Sequence, residues 1–430
     1  MTSTRNRNGC LWLVLSVCVA ATAWLYVHRI LGPWANAQDV QKGGLKAQMG
    51  DLYPRWVGTR EVFLYRHNPY SADVSHEIQM AYYGHIVTAE ESQRRVVDEQ
   101  RFAYPIYVVF LMAPTIYSDF ATVQLWAPYV LGAFAGLSVI LCVGLLNWKL
   151  PWTIKIGLVL CVLSSPQIVQ GMRHQQLAIV VASLLVAAAW CVHRGRLGIA
   201  GTLLALSTIK PQMALLPLAW FLIWAVADWR NRRRLLIGFG GAITLLTTAG
   251  QLLVPGWIGD FLAAVAAYRR YFRTTSVLRL LLGDAVGIGL SVLIVIWLLI
   301  FAWRNRKTAE ASPRFVSVLA VFLALSVITF PLFTPFNQAL LILPTLLIVR
   351  DWETFPKAAR VIFAALLAWP WISSMVILTT KSRLSVESRV PLIPALASSA
   401  LPLLLPVLLS MRKKTILLNE SADQGDLASA

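Results

Sequence analysis

A chain of 430 residues that is 57% hydrophobic and only 13% charged, with a mean hydropathy of +0.64, cannot face water on all sides. Globular domains carry roughly 25% charged residues, so a water-soluble fold is excluded. The formal net charge of +18 would suit a nucleic-acid partner if it were spread over one face. Instead the basic residues lie in short clusters between apolar runs, where they hold a membrane protein in one orientation, and no nucleic-acid partner is expected.

In chain order, the apolar runs Leu11–Leu31, Val123–Leu146, Leu235–Val254, Val286–Trp303, Phe315–Phe330 and Val361–Leu378 each approach the ~20 residues that cross a ~30 Å hydrocarbon core. The first run is long and has no small-residue cleavage site before Trp34, so it reads as a retained span rather than a signal peptide. Arg5 and Arg7 keep the amino terminus inside, and the first span exits to the outer face. Residues 32–101 then form the largest non-membrane piece, charged, with amphipathic stretches at Tyr53–Tyr65 and Glu90–Arg101. Beyond it, apolar segments alternate with basic turns at Arg194–Arg196, Arg230–Arg234, Arg304–Lys307 and Arg350–Arg360 and at the carboxyl end. The expected architecture is an all-α polytopic membrane protein of about twelve transmembrane helices. Residues 1–9 are its cytoplasmic amino terminus, 10–411 one transmembrane domain, and 412–430 a cytoplasmic tail, which is acidic and small-residue-rich from Asn419 onward and is expected to be disordered.

Two segments leave the topology open. Phe102–Tyr117 is short and holds Pro105 and Pro114, and Leu197–Val226 is broken by Lys210-Pro211. If Phe102–Tyr117 crossed fully, the turn His193-Arg194-Gly195-Arg196 would fall outside, against the positive-inside rule. If it is re-entrant, and Lys210-Pro211 caps a pair of half-spans, every basic cluster falls inside. The second arrangement is the expectation. It brings Arg173-His174-Gln175, Lys210-Pro211-Gln212 and Asn337-Gln338 to the outer face, where irregular backbone can line a cavity.

Asp51 in Gly50-Asp51-Leu52-Tyr53 precedes an amphipathic helical stretch, and two roles are open to it: a helix N-cap or a catalytic carboxylate. Lys210 interrupts an apolar run, where a charge costs on the order of 3 kcal/mol and marks a functional site by default; the other reading is a lysine snorkelling from a half-helix end. Arg173-His174 is equally a turn or a site. Phosphate oxygens would suit cations such as Lys210, Arg173 and Arg55. Tyr53, Tyr70, His174, Gln175, Gln212, Asn337 and Gln338 are the candidate substrate contacts. His67, His76 and His85 are nine apart and share no helical face, and the five cysteines have no ligand spacing, so no metal is expected. Phosphate-binding loop, dinucleotide, nucleophile-elbow and zinc-protease patterns are absent, and no cofactor is expected.

The ordered series resembles the bacterial polyprenol-phosphate-mannose-dependent alpha-mannosyltransferases of the GT-C glycosyltransferase superfamily. It runs from Gly50-Asp51-Leu52-Tyr53 and Asn68-Pro69-Tyr70 through Phe102-Ala103-Tyr104-Pro105 and Gly171 with Gln175-Gln176. It continues with Arg194-Gly195-Arg196, Ala200-Gly201 and Lys210-Pro211-Gln212. The resemblance implies a GT-C bundle in the cell membrane with its active site on the extracytoplasmic side. It also implies a polyprenyl-phosphate sugar donor, a glycolipid or glycan acceptor, and a loop aspartate, by position Asp51, as general base in an inverting transfer. One departure stands out: where the family often carries a Trp/His motif near a late span, this chain reads Thr334-Pro335-Phe336-Asn337-Gln338, without histidine. A lipid transporter or flippase, or a non-catalytic envelope-assembly scaffold, is the competing expectation. A transporter would carry two related halves, and no internal repeat is visible.

Overall fold

The structure is a computed structural model and describes residues 2–41, 49–88, 90–91, 99–271, 276–310, 312–331, 334–381 and 392–411. Among these residues the protein is entirely helical, without strands. Five helices are long and apolar enough to cross a bilayer, at Gly9–Trp34, Phe120–Leu145, Trp229–Leu253, Asp284–Asn305 and Lys357–Val376. A sixth would be the pair Trp152–Leu163 and Pro166–Arg173, bent by 61°. Several further apolar helices are shorter, at 10–17 residues. The all-helical polytopic class thus holds, but where about twelve crossings were expected, five or six helices among the described residues have spanning length and the other apolar helices are shorter.

Helix α1 (Thr2–Tyr26) continues through one π turn into α2 (Gly32–Gln41). The first loop follows with α3 (Tyr53–Arg60) and α4 (Ala72–Tyr83). Ser71 caps α4 by accepting the Val74 amide, and Gly84 closes it in the left-handed region. Most of Glu90–Arg101 lies outside the described residues. Phe102–Tyr117 contains only the five-residue α5 (Val108–Met112) and a 3-10 turn. Together these rise about 13–14 Å, so the helical part of the segment falls well short of the ~30 Å hydrocarbon core. The segment's two prolines are the reason, since each removes a backbone donor and blocks the preceding turn.

Asp119 then caps the long span α6 (Phe120–Leu145). Helix α7 (Trp152–Leu163) ends at Ser164-Ser165, whose hydroxyls turn back onto the carbonyls of Cys161 and Val162. Pro166 opens α8 (Pro166–Arg173) in a new direction. The buried centre is α9 (Ala178–His193) with α10 (Leu197–Ser207), α11 (Pro211–Val226) and, later, α16 (Pro313–Thr329). Trp220, Phe221 and Trp224 of α11 pack on Phe315 of α16. Helices α12 (Trp229–Leu253), α13 (Trp257–Tyr271), α14 (Val277–Leu282) and α15 (Asp284–Asn305) precede α16; α17 (Ile342–Arg350), α18 (Lys357–Lys381) and α19 (Leu392–Ser410) follow it. Large apolar side chains such as Leu245 and Leu252 stay exposed on α12, and Val292 and Leu293 on α15. Faces of that kind suit hydrocarbon rather than water.

Both ends of the bundle have a distinct chemistry. The basic turns gather at one end: Arg350 donates to the Leu146 carbonyl at 2.8 Å, Arg194 lies 4.5 Å over Trp190, and a Cβ on Gly144 would meet that same Trp190 ring. Arg232 is buried over Trp224 at 3.9 Å and donates to the carbonyls of Trp224, Arg306 and Thr308 at 2.8–2.9 Å. Helices α9, α10 and α11 lead from this end to the opposite one, where Gln176, Lys210 and the first loop lie; the 16 residues of α9 separate the two by about 24 Å. The carboxyl-terminal basic residues 412–414 fall outside the described residues.

Close approach of backbones holds α10 against α12. A Cβ on Gly201 would run into the Leu235 carbonyl and Phe239 amide, whereas Gly240, also on α12, has nothing within 4 Å. Backbone cannot move aside as a side-chain tip can. Gly201→Ala should therefore lower the thermal unfolding midpoint in detergent, with a cost of about 1–3 kcal/mol. Gly240→Ala should leave it unchanged or raise it, because alanine favours helix by up to ~1 kcal/mol over glycine.

Candidate active site

The site begins with a backbone that only glycine adopts easily. Gly50 sits at φ +63°, its carbonyl accepts the Tyr82 hydroxyl, and a Cβ there would lie 2.9 Å from the Gln175 side-chain amide. The turn presents Asp51, whose amide donates to the His174 carbonyl at 2.9 Å and whose carbonyl accepts from Arg55. The N-cap role is not taken up: the cap position of α3 is Leu52, without a side-chain bond. The Asp51 carboxylate points instead at α8–α9, where Oδ2 accepts from Gln176 Nε2.

Gln176 continues the chain of contacts. Its Oε1 accepts from Lys210 Nζ at 3.3 Å, and Lys210 also donates to Asn337 Oδ1 at 2.8 Å. Asn337 in turn donates to Thr334 Oγ at 2.6 Å. Lys210 occupies the apex between α10 and α11: Ser207 and Thr208 bond back to the carbonyls of Leu204 and Ala205 as α10 ends, and Pro211 opens α11. Its side chain is 6% exposed and lies 5.1 Å from the Phe336 ring, so it does not snorkel to water. The ammonium is held by two neutral amide oxygens, and no carboxylate forms an ion pair with it among the described residues. A desolvated cation without a counter-ion is costly, and an incoming anion would relieve that cost.

Arg55 adds a second cation. Its guanidinium stacks 4.2 Å from the centre of the buried Tyr104 ring, which feels the charges of Lys210, Arg55 and Asp51 together. The Tyr70 hydroxyl donates to the Tyr104 carbonyl at 2.6 Å, and Tyr107 meets Thr208 Oγ at 2.8 Å. These bonds clamp the Phe102–Tyr117 segment over the Lys210 apex. Tyr53 sits in an aromatic cluster with Trp56, Tyr82 and Phe120. Burial pushes its hydroxyl pKa up, Glu77 reinforces the rise and Arg60 opposes it, so Tyr53 offers a neutral O–H.

The other sequence candidates divide. Gln175 is buried at φ +52° against Gly50, and His174 contributes its carbonyl. Gln338 is buried beside Gln167, 3.5 Å away, and Gln212 stands exposed at the start of α11. Arg173 is turned elsewhere: its guanidinium bonds Asn36 of α2 at 2.7 Å and lies 3.5 Å from the Gly32 carbonyl. Gln176 and Tyr104 were not singled out from sequence, although both fall in the motifs quoted. The available signal was a pair of glutamines just before the predominantly apolar α9. No cluster of metal-ligating side chains occurs among the described residues.

Fold and site together define a polytopic helical membrane protein with a carboxylate, an amide and an ammonium joined at one end of the bundle. The model of glycosyltransferase family 87 matches residues 102–335, more than half of the chain, and the chain belongs to that family. It is a membrane glycosyltransferase. No curated protein and no solved structure matches it. Tyr104, Gln176 and Lys210 lie inside the matched stretch, and Asp51 and Asn337 outside it.

Two glycines with left-handed backbone separate the local strain of a side chain from its effect on the site. Gly256, at φ +81°, has nothing within 4 Å of a would-be Cβ. Gly256→Ala should cost only the ~1–2 kcal/mol of left-handed strain and retain glycosyl transfer. Gly50→Ala adds the collision with Gln175, and should lower transfer more than tenfold under conditions where thermal unfolding shows both variants folded.

Proposed function

We propose that this glycosyltransferase moves a sugar, mannose by its resemblance, from a polyprenyl monophosphate to an acceptor hydroxyl at the extracytoplasmic face of the cell membrane. The observation that carries the reading is Lys210: a buried ammonium with neutral partners only, one amide away from a carboxylate. The first suits a phosphate and the second a hydroxyl proton. A helix break within an apolar hairpin is also where the head of a lipid donor could meet both. The GT-C architecture accords with the helical bundle and its polar end.

In this mechanism the Asp51 carboxylate takes the acceptor proton as the acceptor oxygen forms its bond to C1. The bond from C1 to the phosphate oxygen breaks on the opposite face, the electron pair leaves with the polyprenyl phosphate, and the anomeric centre inverts. Gln176 holds Oδ2 of Asp51, and Oδ1 has no hydrogen-bond donor among the described residues, so one oxygen remains for the acceptor. Charge growing on the leaving phosphate is stabilised by Lys210 and Arg55. Asn337 stands where the resembled family often has histidine, and it positions Lys210 without adding charge. The acceptor is a glycolipid or glycan.

The test is turnover of purified protein with polyprenyl-phosphate-mannose and a lipid-linked glycan acceptor. Asp51→Asn, folded by its unfolding midpoint, should lose about 10²–10⁴-fold in kcat; near-normal turnover removes Asp51 from the chemistry. Lys210→Gln should lower kcat/KM for the donor about 10- to 100-fold, the worth of a charged hydrogen bond. An unchanged donor KM and kcat would separate Lys210 from the phosphate.

A further inference from the structure

At the end of the bundle away from Asp51, a second polar hollow opens between the α9–α10 turn and the start of α12. Its volume is about 320 Å³, and it is lined by Gly195, Leu197, Arg230, Asn231, Arg233, Arg234 and Glu310. A water molecule takes about 30 Å³ in the liquid, so a phosphate and its hydration fit. Three guanidinia against one carboxylate leave the lining strongly positive.

The three arginines differ from their neighbours. Arg232 is buried and spends its donors on backbone carbonyls; Arg350 and Arg360 pair with Asp351 and Glu353. Arg230, Arg233 and Arg234 are exposed, and none forms an ion pair with a carboxylate among the described residues. Their setting points to the source of the anion. Trp229 is 57% exposed beside them, and Ile237 and Ile199 are 64% and 52% exposed along α12 and α10. Hydrocarbon chains would lie against exactly those faces, with the hollow at headgroup level. A free anion would gain nothing from the apolar flank.

We infer that this hollow is a binding site for the phosphate headgroup of an anionic phospholipid, its acyl chains lying along α10 and α12. The site is independent of sugar transfer and lies about the length of α10 away from Lys210. Its occupant would tie the turn before α10 to the start of α12, on the hairpin whose other end carries Lys210.

The full-length protein, in nanodiscs of phosphatidylcholine with increasing phosphatidylglycerol, provides the measurement through its thermal unfolding midpoint. Phosphatidylglycerol should raise the midpoint saturably. The triple variant R230Q/R233Q/R234Q should need about 100-fold more of it, each basic residue near an anionic surface being worth roughly fivefold. Its midpoint in pure phosphatidylcholine should match wild type. Should the triple variant not fold, R230Q and R233Q singly should each weaken the response about fivefold. The matched control R304Q/R306Q/K307Q removes the same charge at the same end, outside the hollow, and should keep the response. Three results overturn the proposal: equal midpoints in both lipids, a control that loses the response as fully as the triple variant, or full reproduction of the shift by millimolar inorganic phosphate in phosphatidylcholine, which would make this a free-anion site.

Discussion

A lysine ammonium buried at the apex of a helical hairpin is the constraint around which the polar end of this protein is organised. Burying an unpaired charge carries a penalty of several kcal/mol unless its hydrogen bonds are met, and Lys210 meets them with amide oxygens from two distant segments. Each amide is then committed in turn, Gln176 to Asp51 and Asn337 to Thr334. The first loop, the α8–α9 turn, the α10–α11 break and the 3-10 turn after α16 are thereby joined through one cation. Because its partners are neutral, Lys210 keeps its charge available to an arriving anion, which a salt bridge to Asp51 would have cancelled.

Short and broken helices are what allow this arrangement inside an apolar bundle. A continuous span satisfies all of its backbone groups internally and leaves little at membrane depth with which to build a site. Here the chain interrupts itself at Pro166, at Lys210-Pro211 and at Pro335, and the last two breaks supply Lys210 and Asn337 to the network that reaches Asp51. The long spans α6, α12 and α15 keep apolar faces outward. The opposite end of the same helices collects the arginines. One end thus offers a carboxylate, a buried lysine and a half-buried arginine, the other an exposed basic rim, and the two are set apart by the length of α9.

Membership of glycosyltransferase family 87 rests on residues 102–335, a stretch that supplies the ammonium and the bridging amide but not the carboxylate. The geometry joins the two parts, since Asp51 reaches the matched stretch through Gln176 and through its backbone bond to His174. The missing histidine near residue 337 is partly accounted for by what Asn337 does: it accepts from Lys210 with one side-chain atom and donates to Thr334 with another. A neutral imidazole can divide its two nitrogens in a similar way, one accepting and the other donating.

By itself the sequence determined that the chain is a helical membrane protein, where most of the long spans run, and that basic turns alternate with a charged loop. Those properties follow from hydrophobicity and charge summed over ~20 residues, a signal that local composition carries in full. It also marked Asp51 and Lys210, because a carboxylate in a Gly-Asp turn and a lysine within an apolar run are locally anomalous. What it left open was the partnership of each group: whether Asp51 capped a helix, whether Lys210 snorkelled, and which group Arg173 bonded. Tertiary structure decided these, turning Asp51 toward Gln176, burying Lys210 between two amides and drawing Arg173 away to Asn36. A hydrogen bond between residues more than a hundred positions apart depends on the angles of several helix breaks at once, and no local window of sequence contains them.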